Sequence, residues 1–290
     1  MVRAFAPFGA LLRQAGACAV GCLPLAVLKE RMPEAALAPV LETLPGMKGL
    51  LCAAFPYATG QESPGPFSRY ARGGDYHTVL RLRLEPVIAK METAFPGHHF
   101  RYYADASPFP EVWAAARAGL GLLGQNGLLI TESAGSYVFL AFLASDLEIA
   151  STAGDIRPCR GCGACIRQCP AAALSGDAPR EQVCLSALTQ RRGTLTEAQQ
   201  ALIRESGSLW GCDRCQLCCP ENQQLTAVPL PEFLPLPPVP PEDLTLSDKA
   251  FRKKYAGRAF TWRGVAPLRR NAGLLGLLPA EANTETTKEL

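Results

Sequence analysis

The 290-residue chain has no long hydrophobic run and almost no excess of charge of either sign. The apolar stretch "AGACAVGCLPLAVL" is 14 residues long and is broken by Pro24, short of the about 20 residues that cross a bilayer. Arg3 and Arg13 precede it without the charged-then-apolar order of a secretory leader. "AVGC" has the look of a lipoprotein cleavage site, but too little apolar sequence precedes it. A buried helix or strand is therefore expected at residues 15–28, with a cytoplasmic location and no membrane partner. A net charge of +3 neither requires nor excludes a nucleic-acid partner, because binding patches are local. Disulfide scaffolding is excluded too: the chain is too long and its cysteines too unevenly placed for a small secreted framework.

Cysteine is what the chain does have. Nine of its twelve cysteines lie between Cys159 and Cys219. Cys159, Cys162, Cys165 and Cys169, followed by Pro170, reproduce C-x2-C-x2-C-x3-C-P, the iron–sulfur run of two-cluster ferredoxins. Three closely spaced thiolates wrap one face of a cubane, and the fourth, after a longer step and a proline, reaches a second one. A second run supplies Cys212, Cys215 and Cys219 before Pro220, and Cys184 lies between the runs. The expected ligands are Cys159, Cys162, Cys165 and Cys219 for the first [4Fe–4S] cluster, and Cys169, Cys184, Cys212 and Cys215 for the second. Cys218 competes with Cys219, but only Cys219 keeps the x3 step and the following proline. A zinc site of four thiolates would account for two C-x2-C pairs and leave at least four cysteines at ferredoxin spacing unexplained. Cys18, Cys22, Cys52 and Cys218 read as small buried hydrophobes.

The remainder divides by composition. Residues 1–150 alternate strand-like runs such as "GLLCAAFPY" and "SYVFLAFLAS" with helical patterns; Leu80, Leu84, Ile88, Met91 and Phe95 share one helix face, with a kink expected at Pro86. The fold class is α+β: a mixed α/β domain at 1–150, a ferredoxin-like dicluster domain at 151–228, then a proline-rich extended linker and a short basic helical tail at 229–290. In that tail eight cations face one acid between Asp248 and Arg270, with Phe251, Tyr255, Phe260 and Trp262 interleaved. Such a segment either binds single-stranded RNA or docks its aromatics on a core. "GLGLLG" at residues 119–124 is a literal G-x-G-x-x-G, but it follows a helical pattern and precedes a strand, the reverse of a dinucleotide site. Its glycines are expected to cap the helix or to admit a large ligand.

Several stretches in order, "LPGMKGLLCAAFPY", "SRYARGGDYHTVLRLRL", "YADASPFPEVWAAARAGLGLLGQNGLLI", "GSYVFLAFLASDL", the cysteine pattern and "WGCDRCQLCCPEN", resemble the epoxyqueuosine reductases. The likeness runs from about residue 44 to 222 and resumes in "LSDKAFRKKYAGRAFTWRGVAPLRRNAGLLGLL". It implies a reductase that completes the tRNA wobble nucleoside queuosine. Base-off cobalamin would receive electrons singly through two [4Fe–4S] clusters, and an allylic epoxide would be reduced to an alkene with loss of water. The implied partners are a tRNA anticodon loop and an external donor such as flavodoxin or ferredoxin, the protein being a monomer. The family's acid, the aspartate of a "DTGP"-like motif, matches Asp105 in "DASP"; a poor oxygen leaving group needs such a positioned acid.

Asp75 in "ARGGDYH" is a further candidate, as a polar contact to cofactor or nucleoside, and the resemblance places cobalamin contacts at Leu129, Ser186 and Asp213, beside Asp105 itself. For Asp75 a helix N-cap is the competing explanation; His77 next to it shares the polar role, and Arg69 and Arg117 would meet phosphate or carboxamides, or form salt bridges. The chain departs from the family at "GQN" for "GKN", "CPAAA" for "CPTGA", "CLSALT" for "CISYLT" and "CPEN" for "CPWN". It is expected to be a short form, ending in "EANTETTKEL" where family members continue into helical repeats that grip tRNA. Two alternatives accompany the main expectation: a dicluster electron carrier, and a related corrinoid reductase with another substrate, since related folds dehalogenate organohalides.

Overall fold

The computed structural model describes residues 2–278 apart from residues 61, 64, 106 and 176–179. "EANTETTKEL" and the alanine at position 106 of "DASP" lie outside the described residues. Two compact units emerge, and neither is a continuous stretch of chain. Unit 1 comprises residues 1–60, 76–162 and 220–231; unit 2 comprises 61–75, 163–219 and 232–290. Positions 150 and 228, where composition changes, both fall inside segments of unit 1.

Unit 1 contains α1 (Ala6–Gln14), β1 (Ala19–Pro24), α2 (Leu25–Lys29), α3 (Glu34–Thr43), β2 (Gly49–Pro56), α4 (Tyr76–Ala94), β3 (Phe100–Tyr103), α5 (Glu111–Arg117), β4 (Leu122–Leu123), β5 (Leu129–Ile130) and β6 (Val138–Ser145). Four strands form an antiparallel sheet in the order β1-β2-β6-β3, and β4 pairs with β5 alone. The run "GLLCAAFP" is apolar throughout because β2 is central and buried along its whole length. Its alternate residues Leu50, Cys52 and Ala54 enter the core with Leu28, Leu37 and Ala114–Ala116 of α2, α3 and α5. The period of two sends Leu51, Ala53 and Phe55 to the opposite face. Three consecutive alanines let α5 lie close to the sheet. The expected apolar face of α4 is present, with Leu80, Leu84 and Met91 buried, and the helix runs unbroken through Pro86.

Glycine behaviour at "GLGLLG" is now explained. Gly119 follows α5 with φ +85°, the left-handed stop expected of it. Gly121 is approached by the chain's own Ile130 carbonyl, 2.2 Å from where a Cβ would sit. No ligand is needed to account for either residue. A late segment closes the unit: Asn222 donates to Ser136 Oγ at 2.9 Å and accepts from the Ser136 N–H at 2.8 Å.

Unit 2 holds α6 (Ala164–Arg167), α7 (Leu185–Gln190), α8 (Glu197–Ser206), α9 (Arg214–Leu217), α10 (Asp248–Lys254) and α11 (Ala266–Leu274). α8 carries a capping box, Thr196 with Gln199, and ends at Gly207 in the left-handed region. Residues 229–243 are a partly packed segment: Leu230, Phe233 and Val239 are buried, while Leu234 and Leu236 are exposed. The basic tail is helical as expected, but Phe251, Tyr255 and Phe260 dock on Trp210, Leu244 and Leu268. Arg270 donates to the carbonyls of Leu188, Arg191 and Gly193, and Arg269 to those of Leu244 and Leu246. Among the described residues no helix is long and apolar enough to cross a membrane.

Asn271, fully buried, donates to the carbonyls of Thr189 at 2.8 Å and Leu209 at 2.9 Å. Asn271→Ala is therefore expected to destabilise the protein by roughly 1–3 kcal/mol, the cost of leaving buried carbonyls unpaired. Urea denaturation followed by circular dichroism measures it, and an unchanged midpoint would show the amide to be dispensable.

Candidate active site and iron–sulfur ligands

Asp105 follows β3 with φ +50°, in a conformation few non-glycine residues adopt. Its carboxylate lies at the start of α4: the Tyr76 hydroxyl donates to Oδ2 at 2.7 Å, and His77 Nε2 lies 3.1 Å from the same oxygen. The Asp105 and His77 side chains are 55% and 45% exposed, so the pair is open to a substrate. Behind it the rings are stacked. Tyr76 lies 4.0 Å from His77 and 4.3 Å from Phe139, centroid to centroid, and Phe139 lies 4.5 Å from Tyr57. The result is a reachable acid group at the end of a ring stack whose inner members, Phe139 and Tyr57, are buried.

Sequence reasoning found Asp105 and His77 but not Tyr76, Phe139 or Tyr57, whose meeting depends on how α4 packs on β6. Glu111 was missed as well. Burial pushes its carboxyl above the usual range, hydrogen bonds from Ser107 oppose this, and the nearby Asp105 charge adds to it.

In unit 2 the cysteines Cys169, Cys184, Cys212 and Cys215 share one neighbourhood. Burial pushes the Cys212 thiol up to about 11, and the charges of Cys184 and Cys169 act in the same direction. Burial raises Cys215 still further, with Cys212, Cys184 and Cys165 adding to it. Cys184 sits immediately before α7, and α9 begins between Cys212 and Cys215, so short helices set the spacing. α6 and α9, which carry Cys165 and Cys215, pack on each other. Cys218 Sγ lies 3.6 Å from the Cys215 carbonyl, a contact within its own turn. In unit 1, Cys162 is exposed and Cys159 partly exposed. Among the described residues no three His, Cys, Asp or Glu groups converge as a single-ion site requires; a cubane instead spreads its thiolates around four corners. Cys22 and Cys52 are buried in the sheet, as expected of small hydrophobes.

The other expected residues are dispersed. Asp75 is the residue before α4, and its N–H donates to the Gly257 carbonyl at 2.7 Å. Leu129 is a buried member of the unit 1 core. Ser186 lies in the first turn of α7, where its Oγ accepts from Gln190 at 3.3 Å. Asp213 is buried; Ser68 Oγ donates to its Oδ1 and the Arg69 N–H to its Oδ2 at 2.9 Å. It lines a polar recess of about 200 Å³ together with Ser206, Ser208, Cys212 and Arg214. Gly211 is obligatory there: its φ is +75°, and a Cβ would meet that of Ser68 at 2.5 Å. Arg69 is buried against Glu62, and Arg117 pairs with Glu30 at 3.2 Å, so each has a salt-bridge role.

Comparison with known proteins fits this geometry. Residues 39–106 match the family described as epoxyqueuosine reductase QueG, DUF1730, and residues 158–222 match the 4Fe-4S double cluster binding domain. An epoxyqueuosine reductase of Gloeobacter violaceus is 34% identical over 249 residues, covering 80% of this chain and 77% of that protein. The chain belongs to the epoxyqueuosine reductase family. The Lactococcus garvieae member is 37% identical over 212 residues, 71% of this chain and 60% of its own length. The chain thus spans under two thirds of the length of several curated family members, 63% for that of Bacillus cereus. The fold agrees with solved family members. An epoxyqueuosine reductase with an epoxyqueuosine-modified tRNA-Tyr stem loop superposes with a TM-score of 0.78 at 26% identity, covering 93% of this chain and 80% of that one. The Bacillus subtilis enzyme, with its catalytic aspartate loop swung out of the active site, gives 0.79 at 26% identity, covering 98% and 84%. The first family match ends one residue after Asp105, and the second contains every cysteine from Cys159 to Cys219.

Asp213 ties the Ser68–Arg69 segment to the loop that carries Cys212, so Asp213→Ala is expected to cost roughly 1.5–3 kcal/mol, the range for hydrogen bonds to a charged group. Thermal melting of the cluster-loaded protein tests this; an unaltered melt would mean that Asp213 has no structural role.

Proposed function

We propose that the protein is a cobalamin-dependent reductase that converts epoxyqueuosine to queuosine in tRNA, fed by electrons through two [4Fe–4S] clusters. The observation that carries this is Asp105: a reachable carboxyl, fixed on an unusual backbone by Tyr76 and His77, in a chain with a double-cluster cysteine pattern. A pure electron carrier has no use for a positioned acid.

Removing the epoxide oxygen takes two electrons and two protons and releases water. Cobalamin, when bound, supplies low-potential reduction at cobalt. His77, half exposed at the end of the Phe139–Tyr76–His77 stack, offers a ring face to a nucleoside or a planar cofactor. Asp105 delivers a proton to the departing oxygen. Tyr76 orients the carboxyl, and His77, at 3.1 Å and half exposed, restores the proton from solvent. Asp75, Leu129, Ser186 and Asp213 are assigned as cofactor contacts, with Leu129 restricted to its backbone by burial.

The thiolates serve as cluster ligands in the two sets read from their spacing. Buried thiols with raised pKa values are compensated by iron, which replaces their protons. The tRNA substrate, the flavodoxin- or ferredoxin-like donor, the monomeric state and the cytoplasmic location belong to the same proposal.

Anaerobically prepared protein should carry about eight iron and eight sulfide per chain, the content of two cubanes. Near four iron, or stoichiometric zinc, would overturn the ligand sets. In an anaerobic assay on epoxyqueuosine-containing tRNA with cobalamin and a chemical reductant, Asp105→Asn should reduce turnover by roughly 10²-fold or more while iron and corrin contents stay constant. Tyr76→Phe, which keeps the ring stack, should lose less. Wild-type protein leaving the epoxide intact under these conditions would refute the substrate, and a fully active Asp105→Asn would refute the acid.

A further inference from the structure

The tail's aromatics have separated into two groups. Phe251, Tyr255 and Phe260 are buried, whereas Trp262 is 54% exposed. Of the three tryptophans, Trp210 is fully buried and Trp113 partly so. Trp262 sits on a one-turn helix, residues 259–263, that is pinned from three sides. Arg252 donates to the Trp262 carbonyl at 3.3 Å, and Arg192 donates to the Arg263 carbonyl at 3.1 and 3.0 Å. Asp248 Oδ1 accepts from the Val265 N–H at 2.8 Å and fills the space where Gly264 would carry a Cβ. The Arg263 guanidinium lies 3.8 Å from the Trp262 ring centroid.

These contacts give a preorganised ring with one face backed by a cation. Arg263 lies over the ring, Arg252 and Arg192 reach the backbone carbonyls of residues 262 and 263, and Lys249 and Lys253 are exposed on α10. Asp248 is the acid at the turn, and Arg252 pairs with it at 2.7 Å. An isolated exposed apolar residue needs no explanation. A tryptophan held rigidly amid an excess of positive charge has the form of a base-stacking platform with phosphate contacts at its rim.

We propose that Trp262, with Arg263, Arg252 and Arg192, forms a binding surface for an unpaired base and flanking phosphates of an RNA loop. This rests on the tRNA reading above and assigns it a surface outside the Asp105 site. Arg192 and Arg252 brace the turn through its carbonyls yet keep an exposed and a 39% exposed side chain, whereas Arg258 is buried on backbone carbonyls, Arg269 and Arg270 are partly buried on theirs, and Lys254 pairs with Asp243 at 2.7 Å.

The test is anisotropy of labelled RNA with the cluster-loaded full chain. The probes are an unmodified anticodon stem-loop and a blunt duplex of the same stem. Trp262→Ala should weaken stem-loop binding on the order of tenfold and leave duplex binding unchanged, and Trp262→Phe should restore most of the loss. Arg192→Ala should lower the slope of log affinity against log salt by roughly 0.7. Iron content identical to wild type confirms that the variants fold. If wild type binds the stem-loop and Trp262→Ala binds it equally, this surface is wrong while the tRNA reading stands. Equal loss for stem-loop and duplex would likewise overturn base stacking. If wild type binds neither probe, this proposal and the tRNA reading fall together.

Discussion

The side-chain amide of Asn271 links segments that the rest of unit 2 must bring together. Its two hydrogen bonds join the chain after Cys184 to the chain before Cys212, at Thr189 and Leu209. Arg270 next to it satisfies carbonyls at the end of α7. Helix ends leave such carbonyls without partners, and here a distant helix supplies the donors. The consequence reaches the metal chemistry, because cubane ligands must arrive at fixed spacing from parts of the chain far apart in sequence. α11, which carries no cysteine, therefore helps decide how the segments bearing Cys184 and Cys212 approach each other.

Electrostatics sharpen that dependence. Cys212 and Cys215 are buried among other thiols, so the protein alone favours their neutral forms. Bringing several thiolates together without iron is costly, and the fold has to hold them near one another by other means. Hydrogen bonds at Asn271, Arg270 and Asp213 and the glycine at position 211 do this. The cysteine loops are thus scaffolded from outside rather than by each other.

What the sequence revealed and what it concealed follow from the range of the interactions involved. Cysteine steps of three and four residues report local geometry, and the proline after Cys169 and Cys219 reports a turn, so that region was readable from spacing. β2 and β6 were readable because buried strands carry unbroken apolar runs. Asp105 came from its motif. The Tyr76–Phe139 stack did not, since nothing in "GGDYH" announces a strand some sixty residues later. The proline-rich segment at 229–243 misled because composition describes backbone stiffness but not burial, and Phe233 and Val239 find cores. The basic tail left two readings open, and the docking of Phe251, Tyr255 and Phe260 on a core was one of them. Guanidiniums that are partly buried and ones that stay exposed look the same in sequence, and only the fold shows Arg270 partly buried against carbonyls while Arg192, which also braces the Arg263 carbonyl, remains exposed.

The interleaving of the two units also constrains how the protein is made. Residues 220–231 complete unit 1, where Asn222 locks onto Ser136, and unit 2 begins at 61–75 yet closes only with α11. Synthesis from the N-terminus therefore leaves unit 1 incomplete until residue 231 has been made and unit 2 until α11 has followed it. Contacts between such distant segments form late and slowly, and the cysteines stay exposed to oxidants and stray metals meanwhile. Cluster loading then belongs after translation, on a finished chain, and a cell that makes this protein has an interval in which nascent thiols need protection.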